Sequence, residues 1–220
     1  MAQSVLVIAD SGTGKSTAIR DLNPDETFII NIANKPLPFK GWKKNYTLIS
    51  KENPKGNLAS SSSAAGIVKA VHHVDQKMPH IKTLVIDDWQ YMSSFEYFDR
   101  ANEKGYDKFT QIAANLAMVA KLPKDLRDDL IVIFLTHSED ATDINGNRKI
   151  KAKTIGKMID NTLTLEGLFS IVLFGKVNKN DDGELEYGFE TQNNGENTCK
   201  SPQGMFEDFF IPNNLQYVKD

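Results

Sequence analysis

The run Ala9-Asp10-Ser11-Gly12-Thr13-Gly14-Lys15-Ser16 constrains this chain more than any other stretch. It meets the pattern G-x-x-x-x-G-K-[ST] except at its first position. Ala9 stands there for glycine, and a small residue suffices where a strand ends. Gly12 and Gly14 let the backbone take conformations barred to other residues and bring amide N–H groups toward an anion. Lys15 supplies a charge for the β- and γ-phosphates, and Ser16 a hydroxyl for Mg²⁺. The phosphate-contacting set is Asp10, Ser11, Gly12, Thr13, Gly14, Lys15, Ser16 and Thr17. Context supports the motif. Val5 to Ile8 is a continuous apolar run, as in a buried parallel strand. Ser16 to Leu22 predicts a helix stopped by Asn23-Pro24, with its positive end aimed at the anion.

Further strands are predicted at Thr27–Ile32, Tyr46–Ile49, Thr83–Ile86 and Ile131–Leu135. Helices are predicted at Ala64–Met78, with Ile67, Val68, Val71 and Val74 on one side, and at Lys108–Lys121. Asn53 to Ala65 reads as a mobile polar loop ending in a serine helix cap. His72 and His73 lack ligand partners at metal spacing and read as surface or packing residues. Ser138 to Gly156 reads as a long polar loop. Asn180-Asp181-Asp182-Gly183 separates two β-like runs and predicts a hairpin. The tail over 192–220 reads as irregular, anchored by Met205, Phe206, Phe209 and Phe210. Strands alternating with helices, then a hairpin, predict one α/β domain over 1–220. Its sheet is mainly parallel, with helices on both faces and a C-terminal antiparallel hairpin.

Asp87 ends the third of these apolar strands, and ligands of parallel sheets sit at carboxyl ends. Asp87 is therefore the expected Mg²⁺ ligand opposite Ser16. Asp88 is the first candidate to orient a water, and Glu139 the second. Thr136 and His137 end the next strand, where a polar side chain could sense a γ-phosphate. His137 reads equally well as a satisfied structural histidine.

The chain has 220 residues, a formal net charge of −3 and one cysteine, Cys199. That balance gives no global attraction to nucleic acid, so any such contact must be local. A single cysteine excludes a disulfide framework. No apolar run approaches the ~18 residues of a membrane span, and the N-terminus has no charged leader followed by an apolar core. The expectation is a cytoplasmic protein without a membrane partner.

The order of motifs resembles the RecA-type ATPase core. More closely, it resembles small phage-encoded RecA-like proteins of single-strand annealing and recombination. Beyond the phosphate loop, the resemblance rests on Asn34-Lys35-Pro36-Leu37-Pro38, on Leu84 to Met92, on Phe134 to Glu139, and on the tail segments Lys200–Phe206 and Ile211–Leu215. It implies ATP and Mg²⁺ as cofactors and DNA-stimulated hydrolysis. It also implies single-stranded DNA as partner, self-association into a ring or filament, and work alongside a single-strand-binding protein in a bacterial host cell. The DNA-facing loops would be the aromatic stretch from Trp89 to Tyr106 and the loop carrying Arg148, Lys149, Lys151 and Lys153. Without the resemblance, the aromatics read as core and the cations as a solvated loop. Lys176 and Lys179, before the hairpin turn, would reach a neighbour's γ-phosphate; read alone, they are surface lysines. The chain departs from RecA-type enzymes in one respect. It has Ala33 or Asn34 where they carry a water-positioning glutamate after the second strand. Two other functions stay open: a nucleotide-gated assembly factor or switch with little hydrolysis, and a small-molecule phosphotransferase. The four scattered arginines speak against the arginine-rich lid of the latter.

Overall fold

The computed structural model describes residues 1–142, 146–154, 164–180 and 182–219. Its strands are β1 (Gln3–Ala9), β2 (Thr27–Asn31), β3 (Leu58–Ala59), β4 (Thr83–Asp87), β5 (Ile131–Thr142), β6 (Arg148–Ala152), β7 (Ile171–Lys179), β8 (Leu185–Glu190) and β9 (Phe210–Pro212). They form one sheet in the order β3-β2-β4-β5-β1-β7-β8-β9, with β6 pairing to the outer half of β5. Pairing is parallel from β3 through β7 and antiparallel at β7–β8, β8–β9 and β5–β6.

The continuous apolar runs are explained by burial on both sides. Leu6, Ile8, Leu84, Ile86 and Phe134 face one layer; Val5, Val7, Val85, Ile133 and Leu135 face the other. The first layer is closed by α2 (Ala64–Lys77) and α4 (Asp107–Lys121). Ile67, Val71 and Val74 of α2, and Leu116 and Val119 of α4, are buried there. Between them in sequence lies α3 (Tyr91–Asp99), packed on α4. Ser63 caps α2, accepting from the Gly66 N–H at 3.2 Å, as the serine run suggested.

Among the described residues, the second layer has only short helices. The helix expected after the phosphate loop is a six-residue 3₁₀ turn, Ser16–Asp21, which buries Ala18 and Ile19. A turn this short contributes little macrodipole, so the loop's own N–H groups must do most of the anion binding. Beside it lie α1 (Trp42–Asn45) and α5 (Leu215–Lys219).

Three expectations need correction. Tyr46–Ile49 is not a strand. Asn57 occupies its backbone groups, accepting from the Thr47 N–H at 3.0 Å, and only a single bridge joins Leu48 to Leu58. The stretch read as a loop from Ser138 is instead the outer half of a twelve-residue β5 and its partner β6. Of its other positions, 146–147 and 153–154 lie outside the strands, and 143–145 and 155–156 lie outside the described residues, as does Asp181 of the predicted turn. The tail is not wholly irregular. It contributes β9 and α5; of its expected anchors Met205 and Phe206 pack partly buried against the core and Phe209 is exposed, while Ile211, Leu215 and Val218 are fully buried.

Candidate nucleotide site

The site is assembled at the carboxyl ends of β1, β4 and β5. β1 ends at Ala9, whose register partner on β7 is Gly175. A Cβ on Gly175 would lie 2.7 Å from the Ala9 methyl, too close for two carbons. The alanine at the start of the loop is thus accommodated by a glycine on the neighbouring strand. Gly12 (φ +85°) and Gly14 (φ +86°) take the left-handed turns the loop requires. Thr13 Oγ1 donates to the Asp10 carbonyl at 2.8 Å and closes the loop.

β1 and β4 are not neighbours; β5 lies between them. The two segments still converge, because Ser16 Oγ donates to Asp87 Oδ1 at 2.7 Å. Lys15 Nζ reaches Asp88 Oδ1 at 2.9 Å. Both aspartates are buried. Asp88 adopts a left-handed backbone (φ +59°), which short polar residues tolerate best. That turn carries the chain across β5, where the Trp89 N–H donates to the Leu135 carbonyl at 2.9 Å. Trp89 then packs edge-on against Phe134, with ring centroids 4.9 Å apart.

Burial pushes the Asp87 carboxyl above the ordinary range, against the pull of Lys15. Burial works upward on Asp88 too. There Lys15 and Lys35 outweigh it and hold the carboxyl below the ordinary range. Asp87 Oδ2 is buried without a hydrogen-bond partner. An orphaned carboxylate oxygen beside a serine hydroxyl fits a Mg²⁺ ion, which is normally held by one or two protein oxygens together with phosphates and water. No cluster of three His, Cys, Asp or Glu among the described residues offers a metal site made of protein alone.

Thr136 and His137 are brought to the same place by β5, with His137 opposite Ala9 in register. Thr136 Oγ1 is engaged by Gln90 Oε1 at 3.3 Å, and the His137 N–H donates to the same oxygen at 3.2 Å. His137 Nε2 stands 3.6 Å from Asp88 Oδ1. Burial and then the Lys15 charge hold its pKa below the ordinary histidine value, despite Asp88. Glu139 lies farther out on β5 and pairs with Lys151 at 3.1 Å. Of the two water-positioning candidates, Asp88 is therefore the one joined to Lys15.

Residues 10, 11, 12, 14, 15, 16 and 17 line a cleft of about 940 Å³. Its far wall comes from Leu185 and Tyr187 of β8 and from Pro212 and Asn213 at the end of β9. Asn213 is buried against Gly14, where a Cβ would come within 3.1 Å of its amide. Lys176 and Lys179 do not line the cleft. Lys176 is tied to buried Glu190 at 2.6 Å, and Lys179 is exposed on β7. Arg148 pairs with Asp140 at 2.8 Å across the β5–β6 hairpin. Lys149 and Lys153 have no ion pair to a described residue.

Sequence reasoning missed Lys35, whose Nζ forms an ion pair with Asp88 Oδ2. Its signal was its place next to Ala33 and Asn34, the positions at which the resemblance calls for a glutamate. It also missed Gln90, which anchors the middle of β5 at Thr136 and His137, and the β8–β9 wall.

No helix of the described residues is long and apolar enough to cross a membrane. Comparison with curated proteins finds no match. The AAA domain family, by contrast, matches residues 1–202, which include the loop from Ala9 to Thr17, Asp87, Asp88, Thr136 and His137 but not Pro212 and Asn213. The chain belongs to the AAA domain family of P-loop ATPases.

Proposed function

We propose that the protein is a Mg²⁺-dependent ATPase that binds single-stranded DNA and supports annealing or strand exchange. The observation that carries the ATPase part is the Ser16–Asp87 contact, 2.7 Å across a sheet in which their strands are not adjacent. A hydroxyl and a buried carboxylate with one oxygen unpartnered are the protein ligands that a cation shared with phosphates would use. When bound, Mg²⁺ neutralises charge on the phosphates. Ser16 and Asp87 would hold it, and Lys15 would supply the counter-charge to the β- and γ-phosphates. Leu185, Tyr187 and Pro212 offer apolar surface for a nucleobase. Asp88 is the group to orient an attacking water and accept its proton, once its lysine partners release it.

The DNA part is supported by two features. Phe98 and Tyr106, on the α3–α4 corner, are 69% and 79% exposed, as stacking surfaces for bases must be. Lys149 and Lys153 on the β5–β6 hairpin can track phosphates. Self-association would bring Lys176 or Lys179 to a neighbour's site. A second reading, a nucleotide-gated switch with little hydrolysis, is favoured by one observation: Asp88 is clamped by two lysines.

Phosphate release measured with and without single-stranded DNA tests the proposal. We expect DNA to raise turnover at least tenfold, and Lys15→Ala to abolish it while leaving the circular dichroism spectrum unchanged. Tight ATP binding without turnover under either condition would favour the switch. Turnover that ignores DNA would remove the DNA assignment.

A further inference from the structure

Lys35 enters the reading above only as a clamp on Asp88, and its backbone is fixed beside the acids. Asn34 takes a left-handed conformation (φ +50°), which asparagine tolerates. Pro36 confines Lys35 to extended backbone. Asn31, buried at the end of β2 and opposite Asp87 in register, donates from Nδ2 to the Lys35 carbonyl at 2.6 Å. The Ile32 N–H donates to the Asp87 carbonyl at 3.3 Å. What remains free to move is the Lys35 side chain. It is 48% exposed and lines the cleft with the phosphate loop, whereas the Lys15 side chain is 6% exposed.

Asp88 therefore holds two ammonium groups, one on each oxygen. With Asp87 beside them the two lysines and two carboxylates balance, and an anion that drew the exposed Lys35 away would leave Asp88 still paired to Lys15. Lysine suits a group that must exchange partners, being a point charge on a flexible four-carbon stem. The other exposed cation lining the cleft, Arg20, is engaged by Asp21 at 3.2 Å, and Lys176 and Arg148, held by Glu190 and Asp140, do not line it.

We propose that Lys35 is a cation, acting within its own subunit, that reads the terminal phosphate of a bound nucleoside triphosphate. With no triphosphate it covers Asp88; with one it transfers to the γ-phosphate and uncovers Asp88. This rests on the ATP-binding reading and adds to it a residue that separates triphosphate from diphosphate. A ligand shifts such an exchange only by its differential affinity for the two arrangements. Only the triphosphate offers the extra anionic group, so Lys35 should discriminate against ADP.

Calorimetric binding to the full chain, with Mg²⁺ and either ADP or a non-hydrolysable triphosphate analogue, tests this without turnover. We expect Lys35→Ala to weaken the analogue at least tenfold and ADP less than threefold. Lys35→Arg should recover part of the loss, and Lys69→Ala, on the exposed side of α2 and outside the cleft, should leave the ratio unchanged. If Lys35→Ala fails to fold, Lys35→Gln carries the same comparison, with the same loss expected. Equal weakening of both nucleotides, or of neither, overturns the Lys35 assignment while ATP binding stands. Wild-type protein that binds neither nucleotide overturns the ATP reading and this proposal together.

Discussion

Two groups of cations and acids lie along β5, and they differ in burial and in how they are assembled. At the inner end, Lys15 and Lys35 converge on Asp88 from two loops far apart in sequence, and Asp88 is fully buried. On the outer hairpin, Arg148 meets Asp140 and Lys151 meets Glu139 across facing strands, and the Arg148–Asp140 pair is largely exposed (63% and 67%). Burial makes the first group costly to leave incomplete. Solvent makes the second nearly indifferent to its pairing. Charge is thus chemistry where the fold has removed water, and a solvated surface where it has not.

The sharpest way to break this contrast is to remove the shared acid. Asp88→Ala leaves buried Lys15 without its closest partner. Breaking a buried pair typically costs ~3–5 kcal/mol. Here Asp87 also feels the Lys15 charge and can take part of the load, so we expect about 2 kcal/mol in urea unfolding. Asp88→Asn should recover about 1 kcal/mol of this, because asparagine tolerates the left-handed backbone that alanine resists. Equal losses for the two variants would show that backbone strain contributes nothing. No loss in either would place the inner group in the same class as the hairpin.

The two regions also differ in how much of them was legible in the sequence. The inner strands are buried on both faces, so Val5–Ile8, Thr83–Ile86 and Ile131–Leu135 read as unbroken apolar runs. The loop glycines and paired aspartates announced themselves by position. Past His137 the same strand continues as Ser138-Glu139-Asp140-Ala141-Thr142, with no apolar layer to cover, and its polar residues mimic a loop. In the tail, β9 is three residues long and includes a proline, too short for any period to show. Lys35 stayed hidden for another reason. A lone lysine in a proline-rich loop has no pattern, and its meaning comes from Asn31 and Asp88, which only the folded sheet brings near. The strand order, with β5 inserted between β1 and β4, was likewise invisible, since it is set by tertiary packing.

The DNA proposal sharpens the comparison at intermediate strength. If the hairpin contacts phosphates, only cations without a protein acid should release counterions fully. Neutralising Lys149, Lys151 and Lys153 together should lower the slope of log affinity against log salt by about 1.4, or about 0.7 for each of two single-strand contacts. The third, Lys151, is already engaged by Glu139. A drop of about 2 would mean that DNA displaces Glu139 from Lys151. An unchanged slope, by fluorescence anisotropy with a labelled oligonucleotide, would move the DNA site away from this hairpin.

The smallest effect is expected at Arg148 and Asp140, and it decides whether the hairpin is only a solvated surface. Their 2.8 Å contact looks as firm as the Lys15–Asp88 contact at 2.9 Å. Distance alone would rank them together. Solvent separates them, because water screens an exposed pair and two long side chains lose freedom to hold it. A double-mutant cycle of Arg148→Ala and Asp140→Ala, read by urea unfolding, should give a coupling of about 0.2–1 kcal/mol. Near 1 M salt, where the screening length shrinks to about 3 Å, the coupling should fade. A coupling above about 2 kcal/mol that survives salt would mean the hairpin is shielded from water by another copy of the chain or a partner. The outer charges would then belong to an interface, and the distinction between the two ends of β5 would be one of assembly rather than of solvent.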